Sequence, residues 1–151
     1  MIVNYTNNQS ALSISPSSVR PIIEQVLKGE KQRCDEVSIY FVDTQEICDL
    51  HQQFFNDPSP TDCISLPMDE EDDHSGYRLL GEVFICPETA IKYVHDHGQT
   101  DPLEETTLYM IHGILHLLGY DDIDEEEEKV MRKAEIKYLN KIKKMGLLLY
   151  S

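Results

Sequence analysis

The 151-residue chain has few positive charges, with 13 lysine and arginine residues against 28 aspartate and glutamate residues and a formal net charge of −15. Nucleic-acid affinity normally depends on basic side chains that neutralise phosphates, so this balance is unusual for a nucleic-acid-binding protein. The acidic residues are unevenly spread, however: five lie in 69–73 and seven in 121–128. A local basic surface is therefore compatible with the total charge, and so is a solvated helix of mixed charge. The basic residues near the C-terminus are Lys129, Arg132, Lys133, Lys137, Lys141, Lys143 and Lys144.

Long apolar runs and paired cysteines are also missing. No hydrophobic stretch approaches the ~20 residues that a membrane-spanning helix needs, and the first residues lack the basic-then-apolar plan of a signal peptide. We therefore expect a cytoplasmic protein with no membrane partner. The cysteines are widely spaced, without a Cys-x-x-Cys pair, which favours reduced thiols and excludes a zinc knuckle. They are Cys34, Cys48, Cys63 and Cys86.

Strand-like and helix-like segments alternate irregularly along the chain, with no repeat or linker between them. This order predicts one α+β domain over residues 1–151, with a small mixed sheet covered by helices. Asp43 followed by Glu46 resembles a capping box at the start of a helix. Predicted strands cover 2–5, 11–14, 36–42, 63–66 and 79–86, and predicted helices cover 16–29, 43–54, 87–98, 104–118 and 124–145.

The segment from His112 to Asp122 is the strongest candidate for a functional site. His112 and His116 are four residues apart on an apolar helix, so their rings share one face and can point at one ion. Gly119 ends the helix, and the turn lets Asp121 or Asp122 supply a third ligand. Three protein ligands with one open position are typical of a catalytic metal site. The alternative is a pair of core histidines satisfied by local hydrogen bonds.

Gly113 follows the first histidine, where zinc peptidases of the His-Glu-x-x-His type carry their general base. The missing carboxylate makes a metallopeptidase the weakest of the functions considered. Glycine inside a helix costs about 1 kcal/mol relative to alanine, so close approach of another backbone or of a substrate would explain it. We expect the other histidines to face solvent or to stabilise a helix C-terminus; they are His51, His74, His95 and His97.

Three blocks of the sequence resemble the YbeY family of bacterial endoribonucleases, which are also described as ribosomal RNA maturation factors. The family motif His-Gly-x-Leu-His-Leu-x-Gly-Tyr-Asp-His is similar to residues 112–122 except at the last position, which is Asp122. The family blocks Pro-Thr-Asp-Val-Leu-Ser-Phe-Pro and Leu-Gly-Asp-Ile-x-Ile are similar to residues 60–67 and 80–85. Order and spacing agree from about residue 35 to the C-terminus.

The resemblance implies a four-stranded sheet flanked by about five helices. It also implies a metal-dependent endoribonuclease that cleaves single-stranded RNA in ribosomal RNA processing and small-subunit maturation. One zinc ion would be bound by His112, His116 and Asp122, with Asp121 supporting a ligand histidine. Ser65 and Thr61 would line the cleft. No residue stands out as the general base.

Three departures from the family pattern bear on this function. Asp122 replaces a histidine, which makes the site harder and more negative and favours manganese or magnesium more than three histidines would. Phe55 stands where the family usually carries an arginine that faces the cleft and handles phosphate. Glu82 replaces an aspartate. The loss of the arginine and the acidity of the chain suggest an alternative, a ribosome-associated maturation factor with weak or absent nuclease activity.

Overall fold

The computed structural model describes residues 1–68 and 76–151, so the acidic segment 69–73 and His74 lie outside the described residues. Within these described residues, four strands and five α-helices form one α+β domain, as predicted. A 3-10 turn, Pro16–Ser18, precedes the first helix. The elements are β1 (Ile2–Asn8), α1 (Val19–Glu30), β2 (Glu36–Val42), α2 (Thr44–Phe55), β3 (Cys63–Pro67), β4 (Leu79–Ile85), α3 (Pro87–His97), α4 (Pro102–Leu117) and α5 (Glu125–Lys144).

The sheet is mixed and has the strand order β1-β2-β4-β3. β1 and β4 both run parallel to β2, while β3 runs antiparallel to β4. Val83 on β4 lies opposite Ile39 on one side and Ser65 on the other. The predicted mixed sheet is therefore confirmed, and β3 is its edge strand beside the predicted metal-binding helix.

Helix ends follow the local signals in the sequence. The Asp43 side chain accepts a hydrogen bond from the backbone N–H of Glu46 at 2.9 Å, so the predicted cap of α2 is confirmed. Asp101 and Asp124 cap α4 and α5 in the same way. A carboxylate in this position satisfies an otherwise unpaired N–H group and interacts favourably with the helix dipole.

The predicted strand at 11–14 is wrong, because side chains occupy the backbone groups that a strand would pair. Gln9 bonds both backbone groups of Leu12, accepting from its N–H at 3.0 Å and donating to its carbonyl at 2.7 Å. The Tyr5 hydroxyl donates to the carbonyl of Ile14 at 2.9 Å. Ile14 is buried in the core, so its apolar character reflects packing from a loop.

Helix α4 lies in the centre of the main core. It packs against β3 and β4 on one side and against α1, α3 and α5 on others. This confirms the burial predicted from its apolar surroundings. A smaller core on the other face of the sheet includes Ile47 of α2, Ile64 and Phe84. No helix of the described residues is both long enough and apolar enough to cross a membrane.

Gly113 lets α4 lie directly on the sheet. A Cβ atom there would be 2.4 Å from Val83 Cγ1, 2.8 Å from Cys63 Sγ and 3.2 Å from Ser65 Oγ. The Ser65 hydroxyl also donates to the Gly113 carbonyl at 3.0 Å. Close approach of the sheet, and not of a substrate, therefore explains the glycine.

Replacing Gly113 by alanine separates packing from helix propensity. Propensity alone predicts a gain of about 1 kcal/mol. We expect instead a net loss of about 1–3 kcal/mol, because the new methyl group overpacks the contact between α4 and the sheet. Urea unfolding measures the difference in free energy of unfolding. A stabilised Gly113→Ala variant would contradict this account of the helix–sheet contact.

Candidate metal centre

The last two turns of α4 bring two imidazoles together. The Nε2 atoms of His112 and His116 are 3.1 Å apart, and their ring planes are nearly perpendicular. Both side chains are about one-fifth to one-quarter exposed, at 22% and 24%. The predicted shared face of the two histidines is therefore present and opens to solvent.

The chain reverses directly after α4 and brings a carboxylate to the two imidazoles. Gly119 has φ +105°, a conformation that favours glycine, and the N–H of Tyr120 donates to the carbonyl of Leu115 at 3.0 Å. These features form a Schellman-like helix end. Asp122 Oδ2 consequently lies 3.8 Å from His112 Nε2 and 3.7 Å from His116 Nε2. We refer to His112, His116 and Asp122 as the triad.

The triad has the dimensions of a metal site. Zinc–ligand distances of about 2.0–2.1 Å in a tetrahedron place ligand atoms about 3.3 Å apart. The three distances in the triad, 3.1, 3.7 and 3.8 Å, bracket that value. Of the His, Cys, Asp and Glu side chains that the structure describes, these form the one group of three or more that could hold a metal ion.

Hydrogen bonds at the far side of each ring set the tautomers. His112 Nδ1 donates to Glu135 Oε2 at 3.1 Å, and His116 Nδ1 donates to the Tyr120 carbonyl at 3.0 Å. Both partners are acceptors, so each proton is on Nδ1 and each Nε2 presents a lone pair. Two lone pairs at 3.1 Å beside a carboxylate repel one another unless a proton or a metal ion lies between them. The donor set therefore fits a divalent metal.

Glu135 is a supporting residue that the sequence reasoning missed. It belongs to α5, is only 4% exposed, and contacts His112 across the interface between α4 and α5. Burial lowers the pKa of His112, but the hydrogen bond and charge of Glu135, together with Asp62 and Asp122, raise that pKa above its ordinary value overall. A buried carboxylate of this kind orients a ligand imidazole and increases its basicity. The signal in the sequence is an acidic residue on the apolar face of α5.

Asp121 has a different role from the one predicted. Its Oδ1 accepts from the backbone N–H of Asp122 at 2.9 Å, so it stabilises the turn and does not contact a ligand histidine. The Nδ1 partners of the histidines are Glu135 and the backbone of Tyr120. Of the two adjacent aspartates, Asp122 is the one that lies in the triad.

Tyr120 anchors the turn that carries Asp122 to the core. Its hydroxyl donates to Glu30 Oε1 at 2.8 Å, and the Tyr138 hydroxyl donates to the other oxygen of Glu30. Burial and the hydrogen bond to Glu30 raise the pKa of Tyr120 to about 12, so the phenol stays a neutral donor at physiological pH. The carboxylate at the end of α1 thus holds both the turn and α5.

A cleft of about 530 Å³ opens on one side of the triad. Phe55 lines it and is 57% exposed, and Ser65 lines it with a hydroxyl already donated to Gly113. Ser65 therefore lies in the cleft, as expected, and Phe55 lines it as well. Thr61 and Glu82 are not among the described residues that line it, so the expectation for Thr61 is wrong.

The remaining described histidines lie away from the triad. His97 Nδ1 donates to the Tyr93 carbonyl at 2.9 Å in the last turn of α3, in agreement with a role at the helix terminus, and His95 is exposed. His51 was expected to face solvent, but its side chain is only 19% exposed. Its Nδ1 donates to the Ser59 carbonyl at 2.8 Å, which ties the end of α2 to the following loop.

Removing the Tyr120 hydroxyl tests the anchor of the turn. We expect Tyr120→Phe to lower the free energy of unfolding by about 1–3 kcal/mol, because a partly buried Glu30 oxygen loses its donor. Tyr150→Phe is the control, since the Tyr150 hydroxyl bonds to the exposed Ser17 hydroxyl at 2.8 Å and is itself on the surface. Equal unfolding midpoints for the two variants would show that Glu30 does not hold the turn.

Comparisons with known proteins agree with this geometry. The family model described as Endoribonuclease YbeY matches residues 4–143. The Endoribonuclease YbeY of Protochlamydia amoebophila (strain UWE25) is 51% identical over 147 residues, which is 97% of each chain. That of Chlamydia pneumoniae is 36% identical over 149 residues, 97% of this chain and 94% of the relative. A solution structure of a Thermotoga maritima protein has a TM-score of 0.64 and 26% identity, covering 93% of this chain and 89% of that one. The chain therefore belongs to the YbeY family of endoribonucleases.

Proposed function

We propose that this protein is a zinc-dependent endoribonuclease that cleaves single-stranded RNA in ribosomal RNA processing and small-subunit maturation, in the cytoplasm. The observation that carries the proposal is the triad itself. Its two Nε2 lone pairs and one carboxylate converge, while Glu135 and the Tyr120 carbonyl hold the protons on the opposite ring nitrogens. Family membership supplies the reaction class.

The residues of the triad fit the chemistry of metal-assisted phosphodiester hydrolysis. When bound, a divalent metal would polarise a phosphate oxygen and lower the pKa of a water ligand. His112 and His116 would hold it through Nε2, and Asp122 would bring one negative charge. Three protein ligands would leave a coordination position for water or substrate, and the cleft is lined by His116 and Asp122.

Zinc is favoured by the two imidazole ligands, since imidazole suits zinc better than it suits magnesium or manganese. The carboxylate of Asp122 is compatible with zinc at about 2.0–2.2 Å. Because a carboxylate is a harder ligand than the histidine of the family motif, we expect manganese to compete better here than at a site with three histidines.

Single-stranded substrate is favoured by the rim of the cleft. Phe55 is 57% exposed and Ile123 is 84% exposed, and both line the cleft beside the triad. Exposed aromatic faces stack on unpaired bases, which are accessible in single strands and covered in a duplex. An apolar rim also suits a strongly acidic protein, because base stacking does not depend on charge.

The ribosomal partner is proposed from the family resemblance. The basic residues of α5 give it limited support, because several are paired: Lys143 lies 3.1 Å from Glu104, and Lys129 lies 3.7 Å from Glu126. Lys137 and Lys144 are exposed on the same helix. These two lysines are the part of α5 that we propose faces ribosomal RNA.

The adjacent aspartates provide a matched test of the metal site. We expect Asp122→Asn to weaken zinc binding by roughly 100-fold or more, since losing a metal ligand costs at least as much affinity as losing a residue that orients a ligand. We also expect it to abolish cleavage of a fluorogenic single-stranded RNA. Asp121→Asn removes the same charge but keeps the oxygen that accepts from the Asp122 N–H, so its zinc affinity should stay within a few-fold of the unsubstituted protein. Zinc affinity and RNA cleavage are measured for both variants on protein purified without a histidine tag.

Two results would contradict the proposal. One is zinc loss in Asp121→Asn with zinc retained in Asp122→Asn. The other is RNA cleavage that survives in a metal-free protein carrying His112→Ala and His116→Ala together. The double variant keeps the fold if its urea midpoint stays near that of the unsubstituted protein, so lost activity can be assigned to the site.

A further inference from the structure

A second pocket, of about 390 Å³, borders the triad on the side of His112. Its lining includes Tyr93, Glu105, Arg132 and Glu135, together with His112 and Asp122 of the triad. The triad therefore lies between two openings, the cleft with Phe55 and this pocket. Of the described residues that line either opening, Arg132 is the one lysine or arginine.

The charges around the triad create a problem for an RNA substrate. Asp121 and Asp122 line the cleft, while Asp62, Glu105 and Glu135 line the pocket. A phosphate backbone approaching the triad would meet these carboxylates, and like charges at close range repel strongly where water is partly excluded. A bound divalent metal would offset part of this charge at the phosphate that it contacts, and a cationic side chain beside the triad would do the same for a neighbouring phosphate of the strand.

Arg132 lies beside the triad, and its N–H donors are available to bind a phosphate. Its side chain is 65% exposed, and its guanidinium nitrogens lie 3.7 Å from Glu135 Oε1 and 3.8 Å from Glu128 Oε1. Both distances exceed a hydrogen bond, so neither carboxylate occupies the N–H donors fully. Glu135 uses its other oxygen, Oε2, to accept from His112 Nδ1. One carboxylate thus separates Arg132 from a residue of the triad.

We propose that Arg132 binds a phosphate of the RNA strand next to the triad, from the side of the pocket, and supplies a positive charge among the carboxylates that line it. The inference rests on the proposed function, and it deepens that function by naming a substrate-binding residue. The guanidinium fork can bind two phosphate oxygens at once, and it exchanges the weak pair with Glu128 for that contact. Arg132 and Glu135 are three residues apart on one face of α5, which keeps the fork beside His112.

Arg132→Gln and Lys133→Gln form a matched pair for the test. They are neighbours on α5, both exposed, and each substitution removes one positive charge, but Lys133 lines neither pocket. With zinc-loaded protein and a fluorogenic single-stranded RNA, we expect Arg132→Gln to reduce kcat/KM by about 10- to 100-fold, the range of a charge-assisted hydrogen bond, mainly through KM. Lys133→Gln should change it less than twofold. Arg132→Lys should recover part of the loss, because it keeps the charge without the fork.

A second measurement needs no cleavage. The affinity for a single-stranded DNA oligonucleotide is measured against salt concentration, where each phosphate contact contributes a slope of about 0.7 in log K against log salt. We expect Arg132→Gln to lower the slope by about that amount and Lys133→Gln to leave it unchanged. Bound zinc and the urea midpoint are recorded for every variant.

Three outcomes overturn the inference: equal kinetics and equal salt slopes for the two glutamine variants, zinc loss in Arg132→Gln, or a fall in kcat with KM unchanged. Zinc loss would show that Arg132 acts through Glu135 on His112. If the unsubstituted protein cleaves no RNA, the proposed function fails, whereas the salt slopes still decide whether Arg132 contacts phosphate. The two failures are therefore distinguishable.

Discussion

Burial of α4 on nearly all sides is the constraint on which the candidate site depends. A polar group on a core helix must find a hydrogen-bond partner, because leaving it unpaired costs about 1–3 kcal/mol. His112 and His116 meet this requirement with the inner ring nitrogens, through Glu135 and the Tyr120 carbonyl. The Nε2 atoms are then left to face each other at 3.1 Å, with His116 lining the cleft and His112 lining the pocket. The metal-binding geometry is thus a consequence of how the core satisfies its polar groups.

The same core holds the third member of the triad. Gly119 turns the chain, and Tyr120 anchors the turn to Glu30, which also receives the Tyr138 hydroxyl. Gly29 leaves room for that arrangement, since a Cβ there would be 2.4 Å from the Tyr138 ring. Contacts with two helices consequently hold the turn that carries Asp122 in place, while the Asp122 side chain remains 40% exposed. A site that is fixed to the core and remains accessible from solvent suits a metal that must also reach a substrate.

Short-range features of the structure could be predicted from the sequence, and contacts between distant elements could not. The shared face of His112 and His116 follows from helix geometry, and the cap at Asp43 follows from local hydrogen bonding. Glu135 lies 23 residues from its partner His112, and Glu30 lies 90 residues from its partner Tyr120. No periodicity in the sequence predicts either contact. The strand expected at 11–14 failed for a local reason, because the Gln9 side chain outcompeted sheet pairing for the backbone of Leu12.

The central claim is that Asp122 completes a preformed site with His112 and His116. A crystal structure of the zinc-loaded protein, with anomalous diffraction measured at the zinc edge, tests this claim most directly. The account predicts one strong peak within about 2.0–2.2 Å of both Nε2 atoms and of one Asp122 oxygen, with Glu135 still bonded to His112 Nδ1. A peak coordinated by Asp121 in place of Asp122, or no peak between the two imidazoles, would contradict it.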